Sequence, residues 1–131
     1  MNASGSVKTR HRILYVEDNP ANRKLVQHLL QRRADLELIT ANTGEQGLQI
    51  ARDIKPNLVL MDLQLPGMSG YEVLAALQQD DGLKHVVAIA LSANAMPSDI
   101  ERGLAAGFRH YLTKPIRINE LLEALDAVLD G

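Results

Sequence analysis

The sequence contains no cysteine among its 131 residues, and aromatic residues make up only 3% of it. The absence of cysteine excludes disulfide frameworks, thiol nucleophiles, zinc ribbons and iron–sulfur clusters. No apolar run approaches the roughly 18 residues of a membrane span, and the first residues lack the apolar stretch of a secretory signal. We therefore expect a cytoplasmic protein without membrane contact, whose chemistry depends on oxygen and nitrogen groups.

Charge is nearly balanced, with 14 Lys and Arg residues against 16 Asp and Glu residues. Lys8, Arg10 and Arg12 are the only charged residues among the first twelve, so the rest of the chain is more acidic than the total suggests. An acidic body argues against nucleic acid as the main ligand. Residues 1–11 are polar and without periodicity, and we interpret them as a disordered leader or linker before a single domain at 12–131.

Short apolar runs alternate with segments of helical periodicity after this leader. Several runs are continuously apolar, which is typical of parallel strands covered on both faces. The last segment, from Ile118 to Leu129, has apolar residues at steps of three and four and an acidic opposite face. The pattern predicts an α/β fold, a three-layer doubly wound five-stranded parallel sheet. The strand candidates are Ile13–Val16, Leu36–Thr40, Leu58–Met61, Val86–Leu91 and Tyr111–Thr113.

Polar residues follow the ends of four of these strands. Glu17 and Asp18 follow the first strand, Asp62 the third, Ser92 the fourth and Lys114 the fifth. Parallel strands end at one edge of a sheet, so we expect these side chains to lie together. Clustered carboxylates repel unless a cation compensates, and hard oxygen ligands suit Mg²⁺ or Mn²⁺. The pattern predicts a metal site able to bind a phosphoryl group, with an amine, a hydroxyl and a nucleophilic carboxylate at hand.

Four motifs at consecutive strand ends carry a family resemblance. They are ILYVEDNP, LVLMDLQLPGMSG, ALSANA and YLTKPI. In this order and spacing they resemble the response-regulator receiver domain, the phosphoacceptor half of two-component signalling, from about Arg12 to the C-terminus. The resemblance implies a flavodoxin-like (βα)5 fold with strand order 2-1-3-4-5. It also implies that Asp62 accepts a phosphoryl group from a sensor histidine kinase or a histidine phosphotransfer protein.

The resemblance further implies how the acids divide their roles at a metal. Asp18 would ligate Mg²⁺ directly, and Asp62 would contribute a ligand as well as being the phosphoacceptor. Glu17 would act through a water molecule. The remaining protein ligand would be the backbone carbonyl of Gln64, two residues beyond the acceptor.

Other residues would bind the phosphoryl group and respond to it, again by resemblance. Lys114 would pair with the phosphoryl oxygens, and Ser92 would be the hydroxyl that moves onto them. Tyr111 matches the aromatic switch position, and the peptide bond before Pro115 would be cis. The altered surface would comprise the fourth helix, the fifth strand and the last helix, and would bind a downstream protein.

Arginines near this surface suggest a second use for it. Arg102, Arg109 and Arg117 could support a phosphorylation-dependent homodimer, although such charges more often form a solvated face. A domain of this kind would catalyse its own phosphorylation and dephosphorylation while acting mainly as a signalling module.

Two alternative functions fit the same fold class. A Mg²⁺-dependent phosphatase with an aspartyl nucleophile would normally carry a second acid two residues later, where this chain has Gln64. A nucleotide- or flavin-binding module would need a glycine-rich phosphate loop or stacking aromatics, and the sequence has neither pattern.

The parent protein is a separate question. The Glu17–Pro20 run followed by Asn22 and Arg23, and the segment ALSANAMP, look more like receivers of hybrid sensor histidine kinases than like stand-alone regulators. A polar leader would suit an interdomain linker. We therefore favour hybrid-kinase origin, with a stand-alone response regulator as the alternative.

Overall fold

The computed structural model describes residues 10–130, so the predicted leader lies outside the described residues except for Arg10 and His11. Within this range, five strands alternate with five helices. The strands are β1 His11–Val16, β2 Leu36–Ala41, β3 Leu58–Asp62, β4 Val87–Ser92 and β5 His110–Thr113. The helices are α1 Pro20–Leu30, α2 Gly44–Ile54, α3 Gly70–Gln79, α4 Pro97–Ala106 and α5 Ile118–Leu129.

The strands form one parallel sheet in the order β2-β1-β3-β4-β5. This arrangement confirms the predicted flavodoxin-like fold with strand order 2-1-3-4-5. The first strand starts slightly earlier than the apolar run, because the His11 amide donates to the Asp35 carbonyl at 2.9 Å and His11 pairs with Leu36. Two strands run on to Asp62 and Ser92, so each polar side chain belongs to the last residue of its strand.

The sheet is covered on both faces, as its continuously apolar strands predict. In β1, Ile13 and Tyr15 belong to a core cluster with residues of α1 and α5. The alternate residues, Leu14 and Val16, belong to a second cluster with residues of α2 and α3. Alternation of side chains across the strand therefore assigns the last four residues of β1 to one core or the other.

Local hydrogen bonds fix where the helices begin next to the carboxyl edge of the sheet. Asn19 caps α1, its side chain accepting from the backbone amide of Ala21 at 2.8 Å. Ser69 and Glu72 form a reciprocal capping box at the start of α3. A Cβ atom on Gly70 would lie 2.7 Å from the Asp62 carbonyl oxygen, so glycine is needed for α3 to start against the end of β3.

No helix within residues 10–130 is long and apolar enough to span a bilayer.

Candidate functional site

Three buried polar side chains lie at the carboxyl ends of the central strands. Glu17 is 1% exposed, Asp62 is 1% exposed and Ser92 is 0% exposed. Asp18 is exposed, and Lys114, which follows β5, is half-buried. The parallel topology thus brings together all five residues that follow strand ends in the sequence.

The acids form a tight cluster with one amine. Glu17, Asp18 and Asp62 each offer a carboxylate oxygen within 4.8 Å of the others. The Lys114 Nζ lies 3.1 Å from Glu17 Oε1 and 3.2 Å from Asp62 Oδ2. Three carboxylates and one ammonium leave this group with a net negative charge of two when all are ionised. The donor set therefore fits a hard divalent cation such as Mg²⁺.

Ionisation within the cluster is uneven. Burial raises the pKa of Asp62, and its contact with the Glu17 carboxylate raises it further. Burial also opposes ionisation of Glu17, but hydrogen bonds from Asp62, Lys114 and the Asn19 amide outweigh it and lower the pKa of Glu17. Burial alone would lower the pKa of Lys114, yet the two carboxylates raise it. Without a metal, the cluster thus favours the charged forms of Glu17 and Lys114 and disfavours the charged form of Asp62.

Other residues donate hydrogen bonds both to the carboxylate and to the backbone carbonyl of Glu17. The Tyr15 hydroxyl donates to Glu17 Oε1 at 3.0 Å, and the Asn19 amide donates to Glu17 Oε2 at 3.2 Å. Arg23 Nη1 donates to the Glu17 carbonyl at 2.8 Å. Sequence reasoning did not identify Tyr15 or Arg23 as parts of this site. The available signal was a hydroxyl-bearing residue in the apolar run Ile13–Val16, which needs a buried hydrogen-bond partner.

Gln64 connects Asp62 with Ser92. The Gln64 amide donates to Asp62 Oδ1 at 2.9 Å, while its side-chain Nε2 donates to Ser92 Oγ at 2.8 Å. The Gln64 Oε1 accepts from the Ala93 amide at 3.3 Å, and Ser92 Oγ also accepts from the Asn94 amide at 3.0 Å. Besides the backbone carbonyl that the resemblance assigns to the metal, Gln64 thus offers a side-chain bridge to the hydroxyl.

Tyr111 lies next to the loop that follows Ser92. Its hydroxyl donates to the Asn94 carbonyl at 2.8 Å, and its ring packs so closely on α4 that a Cβ on Gly103 would lie 2.6 Å from the ring. Tyr111 and Ser92 both line a cavity of about 220 Å³ between α3 and α4. The peptide bond between Lys114 and Pro115 is cis.

Comparison with protein families gives one match over most of the chain. The model of the response regulator receiver domain matches residues 13–126. A curated relative is the polar-differentiation response regulator DivK of Brucella anthropi. It is 39% identical over 117 residues, which cover 89% of this chain and 94% of that protein.

Solved structures of similar fold include regulators and kinase receivers. The Vibrio cholerae chemotaxis response regulator CheY4 is 29% identical, with a TM-score of 0.84 over 92% of this chain and 99% of that one. The receiver domain of a Pseudomonas aeruginosa sensor histidine kinase is 32% identical, with a TM-score of 0.83 over 93% of this chain and 99% of that one. The latter structure is described as having a magnesium ion coordinated in its active-site cleft.

Proposed function

The chain belongs to the response regulator receiver domain family, and from this premise we propose that it takes a phosphoryl group from a phosphohistidine onto Asp62. The donor is a sensor histidine kinase or a histidine phosphotransfer protein. The observation that carries the proposal is the position of Asp62, buried beside Lys114 and within 4.8 Å of the other two acids. Glu17 shares the burial, the contact with Lys114 and the acidic cluster, so the choice of Asp62 as the phosphoacceptor rests on its place in the motif LVLMDLQLPGMSG.

The donor set supports Mg²⁺ as the cofactor, with Mn²⁺ as a substitute. Asp18 and Asp62 would hold the ion directly, Glu17 would act through water, and the Gln64 carbonyl would complete the protein ligands. When bound, the ion would neutralise the clustered carboxylates and the transferred phosphoryl oxygens. The raised pKa of Asp62 supports this assignment, because a site that disfavours a further negative charge is one that a cation relieves.

The protein's own part in the transfer is mainly positioning. Lys114 and the Gln64 amide each bind one Asp62 oxygen, which fixes the orientation of the carboxylate before the donor arrives. An Asp62 oxygen attacks phosphorus, the phosphorus–nitrogen bond breaks, and its electron pair returns to the imidazole. The product is an aspartyl phosphate, with Lys114 as a fixed positive charge for its oxygens.

Phosphorylation would then change the contacts of Ser92. If the hydroxyl moves onto a phosphoryl oxygen, as the resemblance implies, it would exchange its contacts with Gln64 and Asn94, in the loop that Tyr111 also binds. We assign the resulting change to the face formed by α4, β5 and α5, where a downstream protein or a second phosphorylated copy would bind. The contacts of Tyr111 with the loop and with Gly103 on α4 support this direction of coupling.

The parent protein also remains a proposal. We assign the receiver domain to 12–131 and favour its origin in a hybrid sensor histidine kinase on the motifs around Glu17 and Ser92. The similar proteins include a regulator named on its own and a receiver from a sensor histidine kinase, so this assignment rests on the motifs.

Radiolabelled acetyl phosphate tests the proposed function. We expect the wild-type protein to incorporate label with Mg²⁺ and to lose incorporation with excess EDTA. Asp62→Asn should reduce incorporation to background, whereas Asp81→Asn, which removes an exposed carboxylate, should leave it unchanged. Equal labelling of Asp62→Asn and wild type would contradict the assignment of the phosphoacceptor.

A further inference from the structure

Tyr15 is a buried phenol to which neither the family resemblance nor the proposed function gives a role. It lies on β1, is 0% exposed and belongs to the core cluster that α1 and α5 cover. Its neighbours along the strand, Leu14 and Val16, are aliphatic. The hydroxyl nevertheless reaches the acidic cluster and donates to Glu17 Oε1 at 3.0 Å.

Packing does not account for this hydroxyl. A buried hydroxyl destabilises a core unless it is paired, so an apolar side chain of similar size would fill the same space at lower cost. The partner of this hydroxyl is Glu17, which lies two residues further along the chain and which the proposed function places at the metal site. The hydroxyl therefore acts on the site rather than on the core.

The contacts of Glu17 indicate what the hydroxyl does. Oε1 accepts from Tyr15 and from Lys114, and Oε2 accepts from the Asn19 amide. A carboxylate held at both oxygens cannot rotate without losing a hydrogen bond. It thus keeps its position within 4.8 Å of the Asp18 and Asp62 oxygens.

The donors differ in how firmly they are themselves held. Lys114 carries a flexible side chain that is shared with Asp62 and would turn to the phosphoryl group. Tyr15 has a rigid ring that is fully buried in the core, and the packing around the ring restrains the position of its hydroxyl. Of these two side-chain donors to Oε1, only Tyr15 can hold Glu17 unchanged while Lys114 changes partner.

We propose that Tyr15 is a positioning residue for the metal site, its hydroxyl fixing the Glu17 carboxylate where the site needs it. The inference rests on the proposed function, since it concerns the same metal. Mg²⁺ demands near-ideal octahedral geometry, and loss of a group that orients a metal-site residue typically weakens metal affinity by about 10- to 100-fold. Tyr15→Phe keeps the ring and deletes only the hydroxyl, so we expect Mg²⁺ to bind about 10-fold more weakly.

Calorimetric titration of the whole chain with MgCl₂ and with CaCl₂ tests this role. Tyr71→Phe is the matched control, because it deletes a hydroxyl from a ring that packs against Phe108 and Arg102 instead of the acids. A positioning role predicts a larger loss for Mg²⁺ than for Ca²⁺, whose coordination geometry is more flexible. Unchanged Mg²⁺ affinity in Tyr15→Phe, or equal losses for both cations, would overturn the inference.

A double-mutant cycle separates this role from general damage to the fold. In a Glu17→Ala background, the further change Tyr15→Phe should leave Mg²⁺ affinity unaltered, because the acceptor through which the hydroxyl acts is absent. A full additional loss in that background would overturn the inference. Failure of the wild type to bind Mg²⁺ at all would instead overturn the proposed function, and the inference with it.

Discussion

Two groups of residues lie side by side at the carboxyl edge of the sheet, and they are held in different ways. The acidic pocket comprises Glu17, Asp18, Asp62 and Lys114, and its two buried carboxylates accept several hydrogen bonds each, some from a charged donor. The switch contacts comprise Gln64, Ser92, Asn94 and Tyr111, and they consist of neutral hydrogen bonds. Charge-assisted hydrogen bonds are roughly twice as strong as neutral ones.

The difference matches what each group would do. Transfer of a phosphoryl group requires a nucleophile and a cation site whose geometry is set in advance. A switch requires contacts that a new ligand can exchange at small cost. Gln64 connects the switch contacts to the acidic pocket, since its main chain binds Asp62 and its side chain binds Ser92. It is therefore the residue through which a change at Asp62 reaches the loop most directly.

The largest effect should come from removing the cation of the acidic pocket. Lys114→Met leaves two buried carboxylates without an ammonium partner, and breaking a buried pair in this way costs about 3 kcal/mol or more. We expect that loss at pH 7 in Mg²⁺-free urea unfolding, with partial recovery at lower pH as the carboxylates become protonated. Such a loss would show that the ion pairs of Lys114 stabilise the acidic pocket.

Lys84→Met is the matched control for this change. Lys84 pairs with Asp81, and the two side chains are 62% and 95% exposed, so its loss should change the free energy of unfolding by about 0.5 kcal/mol or less. If the two lysine substitutions lowered the free energy of unfolding equally, the ion pairs of the acidic pocket would be no stronger than an ordinary pair at the surface.

A smaller effect of opposite sign should follow from Asp62→Asn. The pKa of Asp62 is raised in the folded state by burial and by Glu17, so ionised Asp62 destabilises the fold at pH values above that pKa. Without Mg²⁺, we expect the variant to be more stable than wild type at pH 7, because the neutral amide avoids the cost of a buried charge beside Glu17. The advantage should disappear as the pH falls to the unfolded value near 3.8, where wild-type Asp62 is protonated in both states.

Unfolding of both proteins across this pH range measures the effect. Millimolar Mg²⁺ should narrow or reverse the difference, because a metal that binds only the folded protein stabilises it. An Asp62→Asn variant that is less stable than wild type at pH 7 without Mg²⁺ would contradict the claim that ionised Asp62 destabilises the folded protein.

The smallest effect belongs to the switch contacts. Gln64→Ala removes one neutral side-chain hydrogen bond from Ser92 and one from the Ala93 amide, and bonds at such exposed or half-buried positions contribute about 0.5 kcal/mol each. We expect amide exchange at Ala93, followed by NMR, to accelerate about fivefold while global stability falls only slightly. Gln49→Ala removes a long contact with Asp53 on the exposed side of α2, and it should leave the rate of amide exchange at Ala93 unchanged. No acceleration at Ala93 would mean that Gln64 does not restrain the loop.

Strand pattern was sufficient to predict a parallel three-layer α/β fold and the composition of the acidic pocket, whereas the strand order was predicted from the family resemblance. Continuously apolar runs indicate parallel strands, and parallel strands place Glu17, Asp62 and Lys114 at one edge whatever the details of packing. The contacts from Gln64 to Ser92 and from Tyr15 to Glu17 could not be predicted in the same way. They depend on side-chain rotamers and on distances of about 3 Å, which spacing along the chain does not determine.

Borohydride trapping measures the central claim, phosphorylation of Asp62, most directly. Reduction of an aspartyl phosphate converts the side chain to that of homoserine, a change that peptide mass spectrometry assigns to one position. After acetyl phosphate and Mg²⁺, the account predicts homoserine at position 62 and its absence when EDTA is present. Reduction at another carboxylate, or stable phosphate on Ser92 or a histidine with position 62 unmodified, would contradict it.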